Sequence, residues 1–182
     1  GTGTATSSRV RIFKSVPVVA RIALPSTSNL VNGTQDLFRF SVKADAAGSV
    51  SLAQISVNTT GTGVTYTALT GKVIVYTDSG FSNTIGGGFT NGEASTTISF
   101  TSGVDRAIDF SAPVVIPANT TYYFKVIADI AGVDTAGDSI SSKLNGDAAP
   151  SYTDVETYAL ADADAQDDFI WSGNTTGDSA VG

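Results

Sequence analysis

A chain of 182 residues with 41% hydrophobic content, nine Phe, six Tyr and one Trp carries enough apolar mass for a substantial core, which argues against intrinsic disorder. Cys, Met and His are all absent, so disulfides, thiolate nucleophiles, zinc sites and imidazole bases are closed to it together. A net charge of −7 and a pI near 4.3 argue against a nucleic-acid partner, because phosphate binding needs a basic face.

The charge is unevenly placed. Arg9, Arg11, Lys14, Arg21, Arg39 and Lys43 stand against Asp36 alone in residues 1–43, six minus one or +5, so the remaining residues hold −12 of the total −7. Either the two halves satisfy one another within one domain, or they attract head to tail between subunits. Thr, Ser, Val, Ala, Gly and Ile dominate, which suits pleated strands and tight turns and predicts an all-β class. No stretch reaches the roughly 18 apolar residues of a membrane span.

In chain order, GTGTATSS (1–8) reads as a flexible arm or linker, residues 9–171 as a single antiparallel β-sandwich, and residues 172–182 as a C-terminal linker. The sandwich is expected to be Ig-like or jelly-roll-like, with about nine to eleven strands. They are predicted over 9–24, 36–44, 49–58, 63–69, 72–77, 95–101, 106–110, 113–116, 120–130, 138–144 and 152–160.

Pro17 interrupts the first of these, since proline cannot donate to a ladder, and uncouples Arg9, Val10, Arg11, Ile12 and Phe13 from VVARIAL (18–24). Those five residues are candidates for subunit contact, as an arm donated to a neighbour's sheet edge; the alternative is that they form the edge strand of their own domain. In LFRFSVKA (37–44) the alternation sends Phe38, Phe40, Val42 and Ala44 to the core and Arg39, Ser41 and Lys43 outward. The Gly/Ser/Asn-rich stretch 78–95 is either an exposed excursion that makes surface contacts or a flexible hairpin tip. Pro117 ends one strand, Ala118 and Asn119 reverse the chain, and Tyr122, Phe124, Val126 and Ala128 form the next buried row. Ile127 on the opposite, polar face implies that part of that face is covered.

Asp162, Asp164, Asp167 and Asp168 crowd four carboxylates into one turn, either solvated or bridged by a structural Ca²⁺, although the mid-loop glycine and closing glutamate of an EF-hand are missing. Trp171 either offers a sugar platform or closes the core beside Phe169 and Ile170. Asn32, Asn58, Asn119 and Asn174 each open an N-x-Ser/Thr sequon and are candidate glycosylation sites on an exported surface. For catalysis only a paired-carboxylate scheme remains open, and neither Glu93 nor Glu156 has a supporting motif, so the chain is read as a non-enzyme.

Three segments, RIFKSVPVVARIALP (11–25), VVIPANTTYYFKVIADIAG (114–132) and DADAQDDFIWSG (162–173), resemble β-sandwich, Ig-like domains that recur in large predicted surface proteins of uncultivated bacteria. This chain differs in carrying Asn119 where those domains usually have Gly, a substitution that the left-handed tolerance of Asn allows. The resemblance implies an extracellular or cell-surface structural module that self-associates into a filament, stalk or surface layer. The rival reading is an adhesin or carbohydrate-binding module with glycan contact.

Overall fold

A computed structural model of the protein describes residues 14–25, 30–146 and 169–174. Nine strands and one 3₁₀ turn, Thr90–Gly92, make up its regular structure among the described residues: β1 Val18–Arg21, β2 Gly33–Lys43, β3 Val50–Thr62, β4 Thr65–Tyr66, β5 Lys72–Tyr76, β6 Asp105–Ile116, β7 Thr121–Ala131, β8 Ser139–Leu144 and β9 Phe169–Ser172. All pairings are antiparallel. One sheet runs β1-β2-β7, with β4 and β5 end to end along the far side of β7. The other places β3 in the centre, with β6 on one side and β8 and β9 end to end on the other. The two sheets pack face to face as an all-β sandwich. Among the described residues no helix is long and apolar enough to cross a membrane.

The period-2 pattern does its expected work. Phe38, Phe40, Val42 and Ala44 are all buried, as are Phe124, Val126 and Ala128, and Tyr122 packs partly buried against them. A β-bulge at Leu37 adds one residue to β2 between Asp36 and Phe38, and so turns Leu37 inward as well. Phe40 stacks on Phe124 at 4.7 Å, and Phe124 on Phe110 of the opposite sheet at 6.3 Å. That three-ring column crosses the sandwich and ties its two layers together. The reversal after Pro117 forms as expected: Thr120 N donates to Pro117 O, and Asn119 takes a φ of 56°.

Four expectations need correction. The run expected as two strands, 106–110 and 113–116, is one strand, because residues 110–113 bulge opposite Ala53 and let Pro113 sit where no ladder donor is needed. Residues 95–101 form no strand; their backbone pairing is limited to isolated bridges such as Ser95 to Phe110 and Gly71 to Ile98. Of the strand expected over 9–24, the described residues 14–24 form only the short β1, which begins after Pro17, and residues 9–13 lie outside the described residues. Phe169–Ser172 is a strand of its own, with Trp171 opposite Leu52 and packed on the core, which is the core-closing alternative for that side chain. The strand expected over 152–160 lies outside the described residues.

Candidate functional site: an open seam between the sheets

A sandwich has two lateral sides where its sheets end, and here they are treated differently. On the β5/β6 side the segment 93–98 runs between the layers. Ala94 N donates to Val73 O at 2.9 Å, Val73 N to Ser95 Oγ at 3.0 Å, and Ser111 N to Ala94 O at 2.8 Å. Gly71 and Ile98 exchange two backbone bonds of 2.9 and 2.7 Å. Lys72 pairs with Glu93 at 2.6 Å. The β5 edge thereby finds partners for its ladder groups at Gly71 and Val73, and β6 finds one at Ser111, while Ala94, Ser95 and Ile98 are buried. Glu93, one of the two glutamates weighed and set aside for a paired-carboxylate scheme, is held in this staple, and Glu156 lies outside the described residues.

The β1/β8 side has no such staple among the described residues. A cleft of about 290 Å³ opens there, lined by Val19, Arg21, Phe38, Phe40, Ser142, Lys143 and Leu144. Phe38 and Phe40 form an apolar floor, and the Ser142 hydroxyl is buried with no hydrogen-bond partner. Above the cleft runs β1, all four of whose residues are exposed. Val16, Val18 and Val19 expose 48, 61 and 41% of their surface, so the free edge is apolar as well as open. The register shows which backbone groups it offers. Ile22 N donates to Arg39 O at 2.9 Å, which makes Ile22–Arg39 a hydrogen-bonded pair; alternation then gives Ala20–Ser41 and Val18–Lys43 the same role. Val19 and Arg21 therefore turn their N–H and C=O groups away from β2, toward the free edge. The same residues stand opposite the buried Val42 and Phe40, so their side chains lean over the cleft.

The chain reaches β1 from a fixed point. Ser15 is buried, and its hydroxyl accepts from Asp45 N at 3.1 Å. Lys14 on the approach to β1, Arg21 on β1 and Lys43 opposite Val18 on β2 all lie near this edge, and none of the three forms an ion pair among the described residues.

A second cluster lies on the outer face of the β1-β2-β7 sheet. Asp78 accepts from Asn83 N at 2.6 Å and from Ser82 N at 3.2 Å, closing a tight loop that turns Phe81 back over the sheet with a φ of 55°. The start of the Gly-rich stretch is thus a folded flap. Phe81 meets Tyr76 at 5.4 Å and Tyr123 at 6.0 Å, both edge-on. Arg39 lies 4.5 Å from its centroid and Lys125 5.0 Å, while both cations also reach Asp36. This is the cover that Ile127, half-buried, implied for that face. Burial raises the Tyr76 hydroxyl above the ordinary tyrosine range; Asp36 and Asp78 push the same way and Arg39 against it. Because the Phe81 ring is already met by both cations, the cluster is a satisfied patch of packing, not a bare stacking platform. At the far end of the sandwich Tyr66 is raised by burial too; the Thr59 hydroxyl opposes this, though the two oxygens do not reach hydrogen-bond geometry.

The other sequence candidates are scattered. Asp162, Asp164, Asp167 and Asp168, like Arg9, Val10, Arg11, Ile12 and Phe13, lie outside the described residues. Among the described residues no group of acidic side chains is gathered as a metal site. Asn32 is exposed just before β2, its side-chain oxygen accepting from Val133 N at 2.8 Å, and Asn119 is exposed in its turn. Asn58 lies inside the central strand β3 with its amide nitrogen bonded to Asp105 at 2.6 Å. Asn174 bonds Ser51 at 2.8 Å and Ser49 at 3.2 Å. Asn32 and Asn119 are thus the two sequons whose amide nitrogens are not already engaged.

The Asn58–Asp105 contact has a pH consequence. The Asn58 amide, with Asn145 and the Lys143 charge adding to it, holds the Asp105 carboxyl below its usual range. A lowered folded-state pKa gives stability that is complete above the unfolded value near 4 and is lost as pH falls through the folded value. Thermal unfolding followed from pH 6 to 2 is expected to show a steeper acid loss in the wild type than in Asp105→Asn, the two curves converging at the acid end.

The seam was not legible in advance, because its lining comes from three strands distant in sequence. No protein-family model matches this chain, and no curated protein matches it.

Proposed function

We propose that this chain is a non-enzymatic structural building block of an extracellular filament, stalk or surface layer, whose copies join through β contacts at sheet edges. The observation that carries the reading is the contrast between the two sides of the sandwich. The β5/β6 side is stapled by residues 93–98, whereas β1 keeps an apolar free edge beside an open cleft. Pro17 and Arg21 shorten and charge this edge, but among the described residues no loop covers it, so the outward backbone groups of Val19 and Arg21 stay available for strand addition. The same role is what the resemblance to bacterial surface β-sandwiches implies. The adhesin or carbohydrate-binding alternative draws on the outer-face aromatics, but Arg39 and Lys125 already occupy that cluster.

Sedimentation velocity across a wide concentration range, with negative-stain electron microscopy of the same samples, tests the proposal. Growth of the sedimentation coefficient with concentration and linear or planar arrays on the grid are the expected result. A single monomeric species at the highest attainable concentration would overturn it.

A further inference from the structure

We propose that the free edge of β1 receives an extended, acidic strand from a second copy of this chain, which seats an apolar side chain over Phe38 and Phe40 and brings a carboxylate to Arg21. The proposal rests on the assembly reading above and names the surface and partner chemistry that it requires.

Three features of the edge select the occupant. The first is the set of outward backbone groups of Val19 and Arg21, which only another extended backbone can pair as a ladder. Next comes the cleft beneath them, whose floor is aromatic and whose Ser142 hydroxyl lacks a partner. Side chains alternate along an added strand, so every second one points into that cleft and the others lie on the outer face. The last is charge. Arg21 leans over the cleft, and Lys14 and Lys43 flank it without ion pairs among the described residues.

Charge also excludes the simplest assembly. Two copies joined β1 to β1 about a two-fold axis centred on Ala20 would set Val19 against the partner copy's Arg21 and place the two Arg21 side chains as a diagonal pair on one face of the joined edge, which like-charge repulsion opposes. The leader Arg9–Phe13, with two arginines, has the wrong sign for this edge for the same reason. The rest of the chain, residues 44–182 at −12, is the complementary source. An acceptor edge in the basic part and a donor in the acidic part make the contact heterologous. Such contacts repeat head to tail and give open polymers when the rotation between copies does not close a ring.

The absence of cysteine makes the test direct. Val18→Cys, on the outer face of β1, is labelled with a benzophenone maleimide, mixed with ¹⁵N-labelled wild-type protein, and photolysed. The expected product is a cross-link between copies that maps to an Asp/Glu-rich segment of the ¹⁵N chain. Two unlabelled variants accompany it. Val19→Pro deletes an N–H that faces the free edge and that β2 does not use, so it should abolish association while far-UV circular dichroism and cooperative melting persist. Arg21→Glu should weaken association about tenfold and Arg21→Lys by about twofold or less.

Cross-links confined to one copy would overturn the proposal, since the chain would then cover its own edge. Wild-type oligomers with no cross-link from position 18, or oligomers unaffected by Val19→Pro, would overturn it while leaving the assembly reading intact. A wild-type protein that stays monomeric would overturn both.

Discussion

Replacing Phe124 with Ala is expected to remove about 3–5 kcal/mol of folding stability, the range for deleting a buried aromatic ring, and to lower the melting temperature by roughly 10–20 °C. Phe124 is fully buried at the middle of the Phe40–Phe124–Phe110 column, so truncation takes away contacts with both sheets at once. The cavity falls between two layers whose backbones are fixed by their own ladders, which leaves little room for collapse around it. Chemical denaturation should show a lower midpoint with a largely unchanged slope. Phe124→Leu keeps most of the volume and should lose less than half as much. A loss under about 1 kcal/mol for the alanine variant would mean that the sheets do not pack through this column.

The second large effect is expected at Gly92. It has a φ of 73°, and a Cβ there would lie 2.7 Å from both Val75 O and Thr84 Cβ, so neither the backbone conformation nor the space accommodates a side chain. Gly92→Ala should destabilise by about 2–4 kcal/mol, from left-handed strain together with local overpacking. Gly92 immediately precedes the staple 93–98, so the damage should be directional. Hydrogen exchange at Val73 and Ser111, whose amides bond to Ser95 and Ala94, should accelerate ahead of exchange in β2 and β7. Gly86→Ala is the control: nothing lies within 4 Å of a Cβ at that position, and stability should change by no more than about 0.5 kcal/mol.

How much of this architecture could be read in advance depends on how far apart the cooperating residues lie. LFRFSVKA (37–44) and the stretch 120–130 announce themselves, because a half-buried strand writes its two faces into adjacent residues. The turn at Pro117–Thr120 is legible for the same local reason. Pro113 misleads, because a proline looks like a strand end until a bulge four residues long is seen to accommodate it opposite Ala53. ISF (98–100) misleads in the other direction: its apolar residues are buried, but as a crossing between layers instead of a ladder. The glycine-rich loop looks featureless because the Asp78 turn that organises it uses backbone amides, which leave no mark on composition. The seam is least legible of all. Val19, Phe40 and Leu144 meet only because the topology brings β1 and β8 to the same side, and nothing local in any of the three segments records that meeting.

The pairing of β2 with β7 also sets an order of events in time. Phe40 finds its neighbour in Phe124, and Gly33 in Ile130, so the first layer cannot form until the ribosome has passed residue 131. Contacts this remote in sequence place folding in the slow range of milliseconds to seconds typical of sandwiches. During synthesis β2 carries Phe38, Phe40 and Val42 with their eventual cover unmade, and the basic side chains around them, Arg21, Arg39 and Lys43, keep that portion of the nascent chain solvated. Until β7 has emerged, β2 is thus kept in solution by its charged neighbours in place of the strand that will finally cover it.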